Sequence, residues 1–385
     1  MPENLLSIAK NIGLKISKFK KSIFETRKKK VIVDGILGIG ISRETKGLIY
    51  NSIEYINNLS TRNKIVVSID IPSGLNPNNG IVTNNAIYAD YTIMCLTRKP
   101  GCYTGDGLKY SGKLYYINLG IKNIDKIHRS DVVLLHKKQQ VFLKRDHLGH
   151  KGNFGSVLIL GGWNNMPGAA NLAALAALKV GCGKVFVCSN NFENLPDEVI
   201  RVEPNVQSIL KILENINVII AGPGLGKEAD KILDFIWKTK VPLVLDAGGF
   251  DWLSNNFKQK RKAMLIATPH YGEARKLLGY HFRDRVNAVK HIKHKYGGKW
   301  ILKGPGTIIF SNKLYINEFS NSILATAGTG DVLAGIVAGL VAQNFKNSEI
   351  LGVEIHTAAA TRLLKSKNKT LLASELINNI STSIS

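Results

Sequence analysis

The sequence predicts an α/β protein in which parallel sheets carry a ligand site at the ends of their strands. The first observation is a series of short, continuous apolar runs, such as residues 158–160 and 218–221, which are typical of buried strands. The second is that these runs end in glycine loops, and that the first such loop opens an Ala-rich helix from residue 167 to about 179. The third is size, because 385 residues with 44% hydrophobic side chains suffice for two domains with separate cores.

The run ATAGTGD at residues 325–331 leads directly into an apolar stretch, which places Asp331 at the start of a predicted helix. The glycines allow a tight turn, and the unpaired N–H groups and dipole of the first helical turn favour an anion such as phosphate. A carboxylate beside a phosphate repels it unless the carboxylate takes up a proton or meets a metal. Asp331 is therefore either a catalytic residue or an acid that only stabilises the helix N-terminus.

Other predicted strands end in side chains suited to the same site. Asp246 ends one strand, Lys303 begins the loop 303–307 after another, and His270 and Glu273 follow a third. Each has an ordinary alternative: a turn cap for the aspartate, a solvated lysine in a hairpin turn, and a structural role for the histidine. Because open α/β sheets bind ligands at the carboxyl ends of their strands, the combination predicts a nucleotide site. Neither the GxGxxG nor the GK[ST] nucleotide motif is present in the two glycine loops at residues 161–162 and 222–226.

A resemblance to a known family covers roughly residues 140 to 380. It rests on six segments in the family's order: GGWNNMPGAANLAALAALKVGCGKV, AGPGLG, LVLDAGG, ATPHYGEARKLLG, LKGPGT and ATAGTGDVLAGIVAGL. Together they resemble the ADP-dependent NAD(P)H-hydrate dehydratases of the ribokinase-like superfamily. The resemblance implies a three-layer α/β/α domain at residues 140–385. Its implied reaction uses ADP and Mg²⁺ to return (6S)-NADH hydrate and (6S)-NADPH hydrate to NADH and NADPH, with AMP and phosphate as products.

The same resemblance implies roles for individual residues. Members of the family phosphorylate the ring hydroxyl and then eliminate phosphate, a better leaving group than hydroxide, and Asp331 matches the base that takes the hydroxyl proton. The positions that match adenylate-binding residues are Lys303, Gly304, Pro305, Gly306, Thr307 and Gly330. The positions that match hydrate-binding residues are Ala169, Gly224, His270 and Asp331. The family resemblance also leads us to expect a homo-oligomer.

The N-terminal third repeats the pattern of strands that end in acids or glycine loops, with predicted strands at residues 30–34, 64–69 and 91–96. The pieces VDGILGIGISRE, SIDIPSGLNPNNG and ADYTIMCLTRKPGCYTGDGLKYSGKLYYINLGI resemble the back half of the NAD(P)H-hydrate epimerase domain. Asp34 and Ser73 match potassium-site positions, and Asp70 matches the substrate-binding acid. The matching substrate loop is Gly38, Ile39, Gly40, Ile41, Ser42, Arg43 and Glu44.

The front half of the epimerase domain, with its GNNGGDG-type loop, has no counterpart in residues 1–30. A parallel sheet without its leading strands and helices exposes an edge and an apolar face. We therefore expect a partial Rossmann-like domain at residues 1–125 that is an epimerase remnant without activity. The competing interpretations are a mis-assigned chain start and a partner chain that supplies the missing half.

Composition limits the classes of partner. The net charge of +24 is spread along the chain, apart from basic clusters at residues 15–21 and 27–30, and no recognition module is present, so we expect no specific nucleic-acid partner. No apolar stretch has membrane-spanning length and no signal peptide is visible, which predicts a cytoplasmic protein with small-molecule substrates. The cysteines lack CxxC spacing and are expected to be buried thiols in a reducing compartment. They are Cys95, Cys102, Cys182 and Cys188.

Two other functions stay open at this point. A small-molecule kinase of the hydroxyethylthiazole or hydroxymethylpyrimidine type shares the GTGD helix start and its catalytic aspartate, although TPHYGE and GPGLG fit the dehydratase better. A non-catalytic nucleotide-binding relic is the other alternative, and the intact Asp331, Lys303 and His270 argue against it. A kinase releases a stable phosphorylated product, whereas a relic tolerates Asp331→Asn without loss of activity.

Overall fold

The computed structural model describes residues 3–16, 31–40, 44–60, 64–122, 130–136, 138, 140–143, 148–365 and 369–385. The chain divides into two compact units. The first, here called the N-terminal unit, comprises the described parts of residues 1–76, 82–98 and 109–120. The second, the C-terminal unit, comprises residues 77–81 and 99–108 together with the described parts of 121–385. Most of the basic run predicted at residues 15–30 lies outside the described residues.

The N-terminal unit is built on a four-stranded parallel sheet in the order β1-β2-β3-β4. Its strands are β1 (Val31–Asp34), β2 (Ile65–Ile69), β3 (Tyr91–Cys95) and β4 (Lys113–Ile117). The helices of this part of the chain are α1 (Glu3–Asn11), α2 (Gly47–Ser60) and the single turn α3 (Gly107–Tyr110). The three strands expected from the sequence are confirmed as β1 to β3.

The two faces of this sheet differ in exposure. One face packs Ile32 and Val66 against Ile53 and Ile56 of α2, and all four side chains are buried. The opposite face carries apolar side chains that are between 42% and 63% exposed: Val31, Val33, Ile65, Tyr115 and Ile117. Parallel sheets are ordinarily covered on both faces. The exposed apolar face expected from the sequence is thus confirmed within the described part of the chain.

This difference in exposure predicts that substitutions at two neighbouring residues of β1 affect the stability of the sheet unequally. Val33→Glu, at 63% exposure, should leave the amides of β1 to β3 as protected from hydrogen exchange as in the parent chain. Ile32→Glu, at 6% exposure, buries an unpaired carboxylate and should remove that protection. Hydrogen–deuterium exchange of the full chain measures both variants. Equal loss of protection in the two variants would show that the outer face is covered.

The C-terminal unit contains a ten-stranded sheet in the order β5-β14-β13-β12-β11-β10-β9-β6-β7-β8, in which β13 is antiparallel to both its neighbours. The strands are β5 (Val132–Leu135), β6 (Ser156–Leu160), β7 (Lys184–Cys188), β8 (Val199–Val202), β9 (Val218–Ala221), β10 (Leu243–Leu245), β11 (Leu265–Ala267), β12 (Lys299–Leu302), β13 (Ile308–Phe310) and β14 (Leu314–Asn317). The helices are α4 (Pro167–Lys179), α5 (Val206–Ile212), α6 (Asp230–Lys238), α7 (Gly248–Asn256), α8 (Tyr271–Leu278), α9 (Arg285–Tyr296), α10 (Thr329–Ala342), α11 (Ser348–Lys365) and α12 (Ala373–Asn378).

Helices cover this sheet on both faces. Ile301 of β12 belongs to the core that β6, β9 and β10 form with α4 and α10. Its neighbour Trp300 points the other way and packs against Phe250 of α7 and Tyr296 of α9, with ring centroids 6.4 and 5.9 Å away. Since successive residues of a strand face opposite sides, the sheet lies between two helical layers. This is the three-layer α/β/α arrangement expected from the sequence.

Small residues bring α4 and α10 into close contact. A Cβ atom on Gly335 would lie 2.3 Å from the carbonyl oxygen of Ala173, and one on Gly339 would lie 2.4 Å from a methyl carbon of Val180 and 3.0 Å from the carbonyl oxygen of Ala177. From Gly335 to Gly339 on α10, the contacted residue on α4 moves from Ala173 to Ala177. Both positions move one helical turn toward the C-terminus, so the two helices run in the same direction. The same register, continued one turn toward the N-termini, places Ala169 level with Asp331.

The remaining expectations about local structure can be compared directly. The Ala-rich helix is confirmed as α4, and α10 begins at Thr329, two residues before Asp331. Burial raises the pKa of Cys182 to about 11 and that of Cys188 to about 12, so both are protonated thiols. All four cysteines are free, and only Cys95 is not fully buried. Within the described ranges, no helix combines the length and the apolarity needed to cross a membrane.

Candidate active site

Five neighbouring parallel strands, β12, β11, β10, β9 and β6, end in the segments that the sequence singled out. The centre of this edge is an ion pair between Asp246, which follows β10, and Lys303, which follows β12. Their Nζ and Oδ1 atoms are 2.8 Å apart, and the side chains are only 2% and 18% exposed. Thr268, at the end of β11, donates its hydroxyl to the same carboxylate oxygen at 2.8 Å. Lys303 is therefore not a solvated lysine, although the loop after it does connect the antiparallel strands β12 and β13.

The N-terminus of α10 adjoins this ion pair. A Cβ atom on Gly330 would lie 3.0 Å from Nζ of Lys303 and 3.9 Å from Oδ2 of Asp246. Burial, together with the negative charges of Asp246 and Glu273, raises the pKa of Asp331 to about 7, while Lys303 acts in the opposite direction. A carboxyl group with a pKa near the working pH is well matched to general base catalysis.

His270 and Glu273 form a capping box at the start of α8. Nδ1 of His270 accepts hydrogen bonds from the backbone N–H groups of Gly272 and Glu273, at 2.9 and 3.3 Å, so the neutral ring carries its proton on Nε2. Glu273 accepts the backbone N–H of His270 at 2.7 Å, and its other oxygen lies 3.5 Å from Nε2. Burial raises the pKa of Glu273 to about 7, and burial together with Lys303 lowers the pKa of His270. The exposed imidazole is thus held in one tautomer beside Asp246, Glu273 and Asp331, here called the acidic cluster.

These raised pKa values predict how stability depends on pH. A group whose folded-state pKa lies above its unfolded value contributes stability that is complete below the unfolded pKa and is lost as pH rises through the folded pKa. For Glu273 and Asp331 this loss falls between the ordinary carboxyl range and about pH 7. We expect Glu273→Gln, which keeps an oxygen for the His270 N–H, to reduce the fall in Tm between about pH 5 and about pH 8. An unchanged fall in Tm would contradict the buried charge at Glu273.

A cavity of about 330 Å³ opens beside the loop 303–307. Of the six predicted adenylate-binding residues, five line it: Lys303, Gly304, Pro305, Thr307 and Gly330. Gly306, the sixth, is a buried residue of the loop and does not line the cavity. Gly304 and Gly306 have positive φ angles of 129° and 60°, which is the reason for glycine at both positions.

His356 of α11 lines the same cavity and is only 9% exposed. Its Nε2 lies 2.9 Å from the carbonyl oxygen of Thr329, the first residue of α10. Burial lowers the pKa of His356 to about 4, so the ring is neutral and Nε2–H donates to that carbonyl. His356 thereby anchors the helical turn that contains Gly330 and Asp331.

The predicted hydrate-binding residues Ala169 and Gly224 lie together. A Cβ atom on Gly224, whose φ is 59°, would be 3.2 Å from Cβ of Ala169 and 2.6 Å from the carbonyl oxygen of Met166. The loop that contains Gly224 also meets the acidic cluster, because a Cβ on Gly222 would lie 1.6 Å from the carbonyl oxygen of Asp246. These glycines let the backbone approach where no side chain fits.

Asp34 and Ser73, the predicted potassium ligands, are in contact in the N-terminal unit. Oδ1 of Asp34 accepts from the Ser73 hydroxyl at 2.6 Å and from the Ile36 N–H at 3.3 Å, and Oδ2 accepts from Ser68 and from the Ser73 N–H at 2.8 and 2.9 Å. Both carboxylate oxygens are thus occupied by protein donors. Where side chains are described, no cluster of three or more His, Cys, Asp or Glu is arranged to hold a metal. Potassium binding stays a prediction.

The other predicted epimerase residues follow β1 and β2. Asp70 adopts a positive φ of 68°, unusual for a non-glycine residue, and its carboxylate accepts the N–H of Cys95 at 2.9 Å. Gly38, Ile39, Gly40 and Glu44 are exposed. The predicted substrate-loop residues Ile41, Ser42 and Arg43 lie outside the described residues.

The sequence assigned no role to Arg285 or His356 and named Glu273 only as a carboxylate at a strand end. The spacing of His270 and Glu273, three residues apart at a helix start, is a capping-box pattern that could have indicated their pairing. No local pattern marks Arg285 or His356, since each acts on a segment distant in sequence.

The C-terminal unit combines a three-layer α/β/α fold with an acid–lysine cluster and a helix N-terminus beside a cavity. These features fit the class of ribokinase-like enzymes, which carry out phosphoryl-group chemistry. The family model described as NAD(P)H-hydrate dehydratase matches residues 157–382, and the model described as YjeF-related protein N-terminus matches residues 2–101. The chain belongs to the NAD(P)H-hydrate dehydratase family, within the bifunctional NAD(P)H-hydrate repair enzymes.

Sequences of known proteins align with most of this chain. The bifunctional NAD(P)H-hydrate repair enzyme of Coxiella burnetii is 36% identical over 374 residues, covering 92% of this chain and 75% of that protein. The Escherichia coli enzyme is 31% identical, covering 91% of this chain and 70% of that protein. The solved ADP/ATP-dependent NAD(P)H-hydrate dehydratase of Bacillus subtilis is 28% identical with a TM-score of 0.55, covering 60% of this chain and 92% of that one. A ribokinase-like superfamily protein of Enterococcus faecalis has a TM-score of 0.61 at 26% identity, covering 66% of this chain and 96% of that one.

Proposed function

We propose that this chain dehydrates (6S)-NADH hydrate and (6S)-NADPH hydrate to NADH and NADPH, converting ADP to AMP and phosphate. The observation that carries the proposal is Asp331, a carboxyl group with a pKa raised to about 7, at a helix N-terminus next to the buried Lys303 and the nucleotide cavity. Asp331 takes the proton of the ring hydroxyl as that oxygen attacks the β-phosphoryl group of ADP and AMP leaves. Loss of phosphate, together with a proton from the neighbouring ring carbon that passes to solvent, then forms the ring double bond and completes the dehydration.

The nucleotide is held by the cavity beside the loop 303–307. The positive charge of Lys303 and the N–H groups and dipole at the start of α10 offset the negative charge of the transferred phosphoryl group. His356 keeps the Thr329 carbonyl engaged and so fixes the orientation of those N–H groups. The Bacillus subtilis relative was co-crystallised with ATP and Mg²⁺, which supports nucleotide use and leaves the choice between ADP and ATP to experiment.

The described residues hold no cluster of three or more metal-binding side chains, but the carboxylates of the site fit a Mg²⁺ ion that a nucleotide brings with it. Burial and, to a smaller extent, the negative charge of Asp246 raise the pKa values of Asp331 and Glu273, and a divalent cation would relieve the repulsion between these carboxylates. Mg²⁺ is commonly held by one or two carboxylates, water and the phosphates of a nucleotide, so a separate protein cage is not required. When bound, Mg²⁺ neutralises phosphate charge during transfer.

The hydrate side of the site is formed by Ala169, Gly224 and His270. The register of α4 and α10 supports a position for Ala169 near Asp331, and Gly224 packs against Ala169. We propose that the small residues leave room for the nicotinamide ring and that Nε2–H of His270 donates to the substrate. The domain limits of 1–125 and 140–385, the homo-oligomer and the cytoplasmic location stay predictions.

For the N-terminal unit we propose no epimerase activity. The saturated carboxylate of Asp34 and the exposed apolar sheet face support this proposal. The test is the recovery of reduced nicotinamide absorbance from a mixture of S and R hydrates with ADP and Mg²⁺. A plateau set by the S form, beyond slow spontaneous epimerisation, is expected, whereas accelerated full conversion would demonstrate an active epimerase.

The same assay tests the dehydratase itself. A rise in absorbance that requires ADP and is absent in Asp331→Asn is the expected result. A stable phosphorylated product would instead indicate a small-molecule kinase, and a well-folded protein with no ADP-dependent reaction would indicate a relic. The family match does not favour either alternative.

A further inference from the structure

The loop 303–307, here called the nucleotide loop, packs against the segment Lys99–Leu108, which we call the clamp segment. The clamp segment belongs to the C-terminal unit although it lies between parts of the N-terminal unit in sequence. Gly306 meets it backbone to backbone, because a Cβ atom on Gly306 would be 2.0 Å from the carbonyl oxygen of Tyr103 and 3.3 Å from Cα of Thr104. Tyr103 and Thr104 are 5% and 0% exposed. The loop therefore rests on a buried piece of main chain.

The clamp segment is itself held by residues 77–81. The Gly101 N–H donates to the Pro77 carbonyl at 2.7 Å, and the Gly107 N–H donates to the Gly80 carbonyl at 3.2 Å. A Cβ atom on Gly80 would lie 2.2 Å from the Thr104 carbonyl oxygen and 2.5 Å from that of Gly101. No larger residue fits at position 80 unless the clamp segment moves.

Side chains of the clamp segment and of residues 77–81 bind residues at the start of α9. Asp106 of the clamp segment pairs with Arg283 at 2.8 Å, and Nδ2 of Asn79 donates to Asp284 at 2.7 Å. Asp284 also caps α9 by accepting the Asn287 N–H at 2.8 Å. The attachment is thus made next to Arg285, the first residue of α9.

Arg285 holds the nucleotide loop by its carbonyl groups. Its guanidinium donates to the carbonyl oxygens of Leu302 and Lys303 at 3.1 and 3.2 Å, and to that of Pro305. A Cβ atom on Gly304 would lie 3.3 Å from the same guanidinium. Arg285 and the clamp segment together fix the loop that lines the nucleotide cavity.

We propose that the clamp segment and Arg285 are positioning elements for nucleotide binding, so that residues 77–81 and 99–108 set the affinity for ADP. Residues 77–81 and the first part of the clamp segment fall within the match to the N-terminal family. Sequence retained from that family therefore serves the dehydratase, independently of any epimerase activity. This inference rests on the proposed binding of ADP at the loop 303–307. A loop that is already ordered loses little conformational entropy when ADP binds. Contacts that order the nucleotide loop should therefore lower the Kd of ADP.

Gly80→Ala tests the proposal, with Gly120→Ala as its matched control. The two glycines have φ angles of 72° and 78°, so alanine introduces the same backbone strain, but nothing lies within 4 Å of the Cβ position at residue 120. We expect Gly80→Ala to raise the Kd of ADP with Mg²⁺ by about tenfold relative to the control, with kcat at saturating ADP nearly unchanged. Calorimetry measures the Kd.

Hydrogen–deuterium exchange of residues 302–307 without nucleotide is the second readout. It should be faster in Gly80→Ala than in Gly120→Ala, and also faster in Asp106→Asn, which removes the partly exposed ion pair with Arg283. Equal exchange and equal Kd in the two glycine variants would overturn the proposal. If the parent chain binds no ADP, the proposed function fails, while the exchange comparison still tests the clamp segment.

Discussion

Asp331→Asn is expected to lower kcat for NADH-hydrate dehydration by on the order of 10²- to 10⁴-fold, the usual contribution of a general base. Asparagine keeps the size of the side chain but cannot accept the hydroxyl proton. Because the pKa of Asp331 is raised to about 7, kcat of the parent enzyme should rise with pH through that value and level off above it. The Kd of ADP should stay close to that of the parent enzyme, since the loop and the cavity are unchanged.

Asp230→Asn is the matched control for this variant. Asp230 is also an acid in the first turn of a helix, α6, so its replacement removes the same favourable interaction with a helix N-terminus. It should leave kcat unaltered.

Asp331→Asn should in addition raise Tm at about pH 8, because it removes a carboxylate whose charged form is disfavoured by burial. Similar kcat values for Asp331→Asn and the parent would mean that the residue only stabilises the helix.

Lys303→Met is expected to be the most destabilising change at the site. It leaves the carboxylate of Asp246, only 2% exposed, without its cation. Breaking a buried ion pair by removing one partner typically costs about 3–5 kcal/mol of unfolding free energy. ADP-dependent activity should disappear, since the variant loses the positive charge that we propose offsets the charge of the phosphoryl group. Urea unfolding and the absorbance assay measure the two effects.

The double variant Lys303→Met with Asp246→Asn separates stability from function. Asparagine keeps an oxygen for the Thr268 hydroxyl but carries no charge, so most of the lost stability should return. Activity should not return. If the double variant is as unstable as Lys303→Met alone, the damage comes from lost packing by the lysine side chain and not from the unpaired carboxylate.

Local sequence patterns were sufficient for the elements that depend on neighbours in the chain. Glycine spacing and an apolar stretch placed Asp331 in the first turn of α10, and continuous apolar runs predicted β1, β2, β3, β6 and β9. Dihedral preferences and side-chain periodicity act over a few residues, so they can be recognised in a single sequence. The exposed apolar face of the N-terminal sheet was also expected, because the segments that resemble the epimerase domain lack its leading strands and helices, and a parallel sheet without them leaves a face uncovered.

The sequence by itself determined the α/β class, the family and the candidate chemistry of Asp331, Lys303 and His270. Only the tertiary structure decided that Lys303 pairs with Asp246, 57 positions away, and that Arg285 and residues 99–108 hold the nucleotide loop. These contacts follow from the order of β10, β11 and β12 in the sheet and from the return of an early segment to the C-terminal unit. Strand order and long-range docking depend on how whole elements pack, and hydrophobic periodicity within one element carries no information about its partners.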